Sequence, residues 1–243
     1  MARLNESRIG ALLTESFGAA FLRIGAATPH EEHGVGVLVG IDADVEVIAG
    51  TRAVRGRAVI VSPDTCHAAR CPSPMLSIAF DPELNPALAG FARTRGAASV
   101  VEDPVIAGAV HAHRASLARA GTLAGIAGEI TGRLAGPRAP ADRRIARLLD
   151  ELRDPAADRR AATARTRLSA AHLAALFARD VGIPMRTYAL WRRLLHGLAF
   201  VGPLDLTAAA HAAGFADLAH LSRTCRRMLG YSPSALRANL ADG

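Results

Sequence analysis

The spacing of hydrophobic residues changes twice along the chain. In the first stretch, Val35-Gly36-Val37-Leu38-Val39 is a continuous apolar run, the pattern of a strand buried on both faces. Val45-Glu46-Val47-Ile48 alternates, as a half-buried strand does. Ala58-Val59-Ile60-Val61 runs into the breaker Ser62-Pro63-Asp64, and Met75-Leu76-Ser77-Ile78-Ala79-Phe80 stops at Asp81-Pro82. Short strands divided by Gly, Pro and Asp predict a small β-barrel or double sheet over about residues 1–85.

From about 86 to 136 the period becomes helical. Val105, Ile106, Val110 and Leu117 predict one helix over 105–119, and Leu123, Ile126, Ile130 and Leu134 a second over 123–134. These helices would pack on the barrel or pair with a second subunit; the pattern serves either arrangement. Gly136-Pro137-Arg138-Ala139-Pro140 reads as a linker, because Pro and Gly interrupt helices.

Residues 137–243 predict an all-α domain. Ile145, Leu148, Leu149 and Leu152 share a face over 143–152. Ser169 is placed to cap a helix whose inward stripe is Leu173, Leu176 and Phe177, leaving Ala170, Ala171, His172, Ala174, Ala175 and Arg179 outward. A joining helix over about 185–200 carries Tyr188, Trp191, Leu194, Leu195 and Leu198 on one side. Asp205 caps a helix over 206–213 and Asp217 one over 218–229, which Gly230 stops. Only Gly214-Phe215-Ala216 lies between these last two, the tight turn of a helix-turn-helix. Two such units joined by one helix fit a device that seats paired helices in successive DNA major grooves.

Two segments carry a specific resemblance. AAAHAAGFADLAHLSRTCRRMLGYSPSALR at 208–237 and LSAAHLAALFARDVGIPMRTYALWRRLL at 168–195 resemble the C-terminal domain of AraC/XylS-type transcription regulators, over roughly the last hundred residues. The resemblance implies base-contacting positions at Ala171, Ala174 and Ala175 in the first unit and at Leu218, Ala219, His220, Ser222 and Arg223 in the second. Alanine can touch a thymine methyl but cannot hydrogen-bond a base edge, so the first helix is expected to dock by shape and phosphate contact. Arg223 is the best candidate for a guanine, and Arg226 and Arg227 are better placed for phosphates. Inward positions are Leu221, Cys225 and Met228; the family usually has an aromatic residue where Cys225 stands. Gln is absent from the chain, and neither reading helix has Asn, so the amide contact to adenine is unavailable.

Charge sharpens the division. Residues 137–243 hold 17 Arg and 9 acidic residues, a balance of +8, whereas residues 1–136 hold 12 and 13, a balance of −1. Every Lys-or-Arg position is Arg, which a compositional bias explains, but such a bias does not explain the asymmetry. A neutral half joined to a basic half fits a sensor joined to a DNA binder. No run of about twenty apolar residues is present to span a bilayer, no export segment opens the chain, and three cysteines lack framework spacing. The expectation is a cytoplasmic protein without membrane partners.

The family resemblance also implies a cupin-like N-terminal sensor. Pro29-His30-Glu31-Glu32-His33 resembles the first cupin motif, and Gly56 with Pro63-Asp64-Thr65-Cys66-His67 the second, although the two early histidines are three apart rather than two. On a strand that spacing puts them on opposite faces. Three readings stand. His30, His33 and His67, with Cys66 or Cys71, would bind zinc or another transition metal as effector, with a thiol switch between Cys66 and Cys71 as a variant. Alternatively the barrel mouth binds a small organic effector. Or the domain is structural or dimerising. His111 and His113, two apart on a helix, read as surface residues.

The expected function is a sequence-specific DNA-binding transcription regulator, not an enzyme, modulated by an effector or by homodimerisation. Its partners would be double-stranded DNA and, if it activates, RNA polymerase. The rival is a cupin-type metal oxygenase or isomerase with an appended helical domain, for which Glu32 is a loose acidic ligand. A further alternative is an interaction protein whose alanine-faced first unit no longer reads DNA.

Overall fold

The computed structural model describes residues 11–22, 26–117, 119–137, 141–154 and 157–241. The N-terminal half contains strands β1 (Ala11–Leu13), β2 (Phe17–Leu22), β3 (Ala26–Glu32), β4 (Val35–Gly40), β5 (Val45–Ala49), β6 (Arg52–Gly56), β7 (Ala58–Val61), β8 (Thr65–Arg70) and β9 (Met75–Phe80). Helix α1 (Pro86–Thr94), strand β10 (Ala98–Val100), and helices α2 (Pro104–Ala112) and α3 (Ala120–Arg133) follow. The strands form two antiparallel sheets, ordered β1-β2-β9-β4-β7-β10 and β3-β8-β5-β6.

The unbroken apolar runs have a direct cause. The six-stranded sheet is covered on both faces, so both sides of β4 and β7 are buried. Val35, Val37, Val39, Ala58 and Ile60 face a core shared with Leu88, Ile106, Leu123, Ile126 and Ile130 of the helices. Leu38, Val59 and Val61 face the opposite way, into a second core with Val45, Val47 and Ala69 of the smaller sheet. Alternation of side chains along each strand divides the two cores. The outer strand β6 is largely exposed and carries Arg52 and Arg55, charges that discourage edge-to-edge pairing.

Two expectations change here. Residues 86–136 are not simply a helical connector, because β10 pairs with β7 and α1–α3 complete the sheet's outer core. The helix expected over 105–119 stops at Ala112 and passes through a single 3-10 turn at Arg114–Ser116, where His113 leaves helical geometry (φ −96°, ψ 11°). Of the expected linker, Gly136 is bonded to α1, its N–H donating to Ala87 O at 2.8 Å, while residues 138–140 lie outside the described residues.

The C-terminal half is helical: α4 (Arg143–Leu152), α5 (Arg159–Arg165), α6 (Ala170–Val181), α7 (Met185–Val201), α8 (Leu206–Ala212), α9 (Leu218–Leu229) and α10 (Pro233–Ala241). It holds two cores. One gathers α4, α5, α6 and Tyr188; the other gathers Trp191, Leu194, Phe215, Leu221, Cys225 and Met228. Helix α7 belongs to both and ties the two units together. Among the described residues no helix is long and apolar enough to cross a membrane.

Candidate nucleic-acid interface and the joint behind it

Helix α9 is built as the sequence suggests. The Asp217 carboxylate accepts from His220 N at 2.6 Å, and Gly230 ends the helix in the left-handed region at φ +75°. Asp205 caps α8 by accepting from Thr207 N and Ala208 N, each at 3.0 Å. In the turn, Gly214 takes φ +75° and Phe215 is buried, its N–H donating to Ala210 O at 2.9 Å. Leu221, Thr224, Cys225 and Met228 face inward. Burial pushes the Cys225 thiol up to about 12, so it acts as a small apolar filler where the resembled family uses an aromatic ring.

The opposite face of α9 is open. Ala219, Arg223, Arg226 and Arg227 are exposed, while Leu218, His220 and Ser222 are half-buried. The His220 ring stands edge-on to Phe215, with centroids 5.1 Å apart, which orients it from behind. Among the described residues, the ion pairs of this half use Arg144, Arg153, Arg165, Arg179 and Arg192. The three α9 guanidiniums are in none of these pairs and are left for another partner.

Helix α6 differs. Ser169 caps it by accepting from His172 N at 3.3 Å, and Leu173, Leu176 and Phe177 are buried. Ala170, Ala171, His172, Ala174 and Ala175 are exposed. Arg179 is exposed too, but its Nε donates to Asp180 Oδ1 at 2.6 Å. The outer face of α6 is therefore small and nearly neutral, and that of α9 strongly cationic. The 17 residues of α7 separate them by about 25 Å of helix at 1.5 Å per residue.

Of the residues expected as metal ligands, His30, Cys66 and His67 lie on the paired strands β3 and β8, His33 just past β3 and Cys71 just past β8. His30 and His67 meet across the β3–β8 pair, ring centroids 4.3 Å apart, and each Nδ1 bonds the backbone O of a near neighbour, Thr28 and Thr65. Burial holds both below the usual imidazole value. His30 is lowered to about 4, with His67 adding to the effect. His33 lies past the end of β3 in a different environment. Cys66 is exposed, and Cys71 is buried against Ser73 Oγ at 3.4 Å. Among the described residues no group of three His, Cys, Asp or Glu side chains is placed to hold a metal ion. His30 and His33, three residues apart, stand in different surroundings. His111 and His113 are exposed, as read.

His33 instead belongs to a polar joint between the halves that sequence reasoning missed. Its Nδ1 bonds Asp64 Oδ1 at 2.8 Å and its Nε2 bonds Glu83 Oε1 at 2.9 Å. Burial alone would lower its affinity for a proton, but the two carboxylates outweigh it and raise His33 to about 9. Tyr188 of α7 stands edge-on to the His33 ring at 5.9 Å. Four residues further along α7, Arg192 donates from Nη1 to Asp81 Oδ2 at 3.0 Å. Asp81 Oδ1 accepts from Glu83 N and Leu84 N, which fixes the turn after β9. A second contact lies at the end of α9, where Gly230 O accepts from Thr28 Oγ at 2.9 Å and from Thr28 N at 3.3 Å. No local pattern could have shown these partners, because they lie 31 to 202 residues apart in the chain.

Residues 162–239 match the family model of a helix-turn-helix domain, a span that holds α6–α9. No curated protein matches the chain in sequence. Among solved structures, the chain is similar to ToxT from Vibrio cholerae at 10% identity, covering 93% of this chain and 99% of that one with a TM-score of 0.59. It is similar to ToxT of Vibrio cholerae O395 bound to (E)-4-(8-methylnaphthalen-1-yl)but-3-enoic acid at 10% identity, with 93% and 99% covered and a TM-score of 0.57. Wild-type ToxT of Vibrio cholerae strain SCE256, bound to an unsaturated fatty acid, gives 9% identity, 99% and 99% covered, and a TM-score of 0.56. At such identities the likeness extends to the fold: a two-sheet N-terminal domain followed by helices. The chain thus carries a helix-turn-helix domain behind a β-rich domain, and the class this defines is a DNA-binding transcription regulator.

Proposed function

We propose that this regulator grips operator DNA with α6 and α9, that α9 supplies base discrimination, and that the N-terminal half adjusts the grip in response to a small organic effector. The observation that carries the reading is the open face of α9. Arg223, Arg226 and Arg227 stand exposed and outside the ion pairs of this half, on a helix whose other face is fully packed. Arg223 would take a guanine bidentately, and Arg226 and Arg227 would take phosphates. The alanine face of α6, with Arg179 neutralised by Asp180, would follow the groove by shape.

Two facts favour a small-molecule effector over the other readings of the N-terminal half. Similar solved structures of ToxT are described with an unsaturated fatty acid and with a naphthalenyl butenoic acid bound. In the present chain α7 and α9 both touch the sheet domain, so a change in that domain has a route to the reading helix. Homodimers would place two such domains on paired half-sites. The test is enrichment of a random duplex pool by the full chain, followed by mobility shifts at two salt concentrations. The reading expects a recurrent sequence and an affinity that falls steeply with salt. A pool that never enriches would overturn it.

A further inference from the structure

A half-buried residue from the other half of the chain packs against the core between the two sheets. Leu22, Ala27, Val45, Val47, Ala69 and Met75 belong to this core, and Tyr231 packs against them. Tyr231 follows Gly230, the stop of α9, so it is attached directly to the helix that bears the free arginines.

The approach is close. A Cβ on Gly230 would lie 2.7 Å from His30 Nδ1, 2.8 Å from Thr28 O and 3.0 Å from Ala27 Cβ. Only glycine lets the backbone sit flush on β3, and the paired Thr28–Gly230 hydrogen bonds hold it there. β3 is an edge strand of its sheet, with a register irregularity between Ala27 and His30. Tyr231 itself is half-buried and packs on the core at this irregular edge. The Tyr231 hydroxyl has no hydrogen-bond partner among the described residues. Glu32, at the end of β3, lies close enough for its charge to add to burial in raising the phenol above its ordinary value. Burial in turn pushes Glu32 up to about 8, so at neutral pH its carboxyl can donate as well as accept.

We propose that this edge of the sandwich is the effector site, that Tyr231 is its resident intramolecular occupant, and that the effector is a small phenol. The proposal rests on the effector-modulated regulator described above and names the class of ligand. The half-buried Tyr231 ring already packs there, with the Glu32 carboxyl near enough to act on its phenol. A free phenol that takes this space expels Tyr231, breaks the Thr28–Gly230 bonds and releases α9 from the sheet domain. Because the tethered ring competes, the apparent affinity of the free ligand is lowered by the fraction of molecules in which Tyr231 is seated.

That competition gives the test. p-Cresol, the tyrosine side chain as a free molecule, is titrated calorimetrically into the full-length protein, the Tyr231→Ala variant and the Tyr231→Phe variant. Tyr231→Ala should bind one equivalent at least tenfold more tightly than wild type, whereas Tyr231→Phe, which keeps the ring, should stay within a few-fold of wild type. Equal affinity in all three, or no binding to a folded Tyr231→Ala protein, overturns the proposal. Should Tyr231→Ala fail to fold, hydrogen exchange of the wild type in saturating p-cresol decides. Faster exchange over residues 26–32 and 228–231 supports displacement, and unchanged exchange rules it out. Enrichment of duplex DNA by wild type without p-cresol is measured separately, so failure of the DNA-binding reading and failure of the phenol site give different results.

Discussion

Arg192 on α7 and Asp81 in the turn after β9 are 111 residues apart in sequence, and their side chains meet at 3.0 Å with Asp81 only 3% exposed. A buried pair of this kind adds little net stability over an apolar substitute, but removing one partner strands the other. Tyr188 Oη, Arg192 Nε and Glu83 Oε2 are also buried without a hydrogen-bond partner among the described residues. Arg192→Ala or Asp81→Ala alone should cost about 3–5 kcal/mol in urea unfolding. The double variant should cost clearly less than the sum of the two, since the pair is in direct contact. Additive losses would show that the halves do not meet through this pair in solution.

His33 gives the joint a pH dependence whose sign is fixed. Its folded value, about 9, lies above the ordinary 6.5, so its contribution is fully present below about pH 6.5 and disappears as pH rises through about 9. Glu32, raised to about 8, acts in the same direction over part of this range, so a reference variant is needed. Wild type should lose its advantage over His33→Gln between pH 6.5 and 9, by on the order of 2–3 kcal/mol. A constant difference across that range would mean His33 is not held as an imidazolium between Asp64 and Glu83.

Gly214 and Gly230 share the same left-handed φ of +75° and differ in surroundings. The nearest atom to a Cβ on Gly214 is Arg193 Nε at 4.0 Å, whereas a Cβ on Gly230 meets β3 at 2.7–3.0 Å. Gly214→Ala should therefore cost only the conformational penalty, about 1–2 kcal/mol. Gly230→Ala should cost clearly more, because the contact with Thr28 must also shift. Equal costs in thermal unfolding would indicate that α9 is not seated on β3.

These three relationships mark the limit of what the sequence made legible. Local chemistry was readable: Ser169, Asp205 and Asp217 cap the helices they were expected to cap, and Gly230 stops α9. The run Val35–Val39 was readable as a strand buried on both faces because a central strand between two cores leaves no polar side. β10 was not, since Ala98-Ser99-Val100 is too short to show a period and exists by pairing with β7. The surroundings of the histidines were not legible for a similar reason. His30 meets His67, whereas His33, three residues on, meets Asp64 and Glu83. Which acid a histidine meets is decided by sheet topology, and nothing within a few residues of His33 encodes it.

The two classes of arginine on α9 should separate by salt dependence. Changing Arg226 and Arg227 together to Ala removes two phosphate contacts in the proposed complex. It should flatten the plot of log affinity against log salt by about 2, with similar losses on every duplex. A loss confined to one sequence would instead make these residues base readers.

Discrimination by Arg223 tests the central claim most directly. The measurement is a competition, for wild type and for Arg223→Ala, between the duplex the wild type selects and the same duplex changed at one base pair at a time. Wild type should lose about 1–3 kcal/mol at one G·C pair, and Arg223→Ala should be indifferent there while keeping its other preferences. Unchanged discrimination at every position in Arg223→Ala would contradict the assignment of sequence reading to the open face of α9.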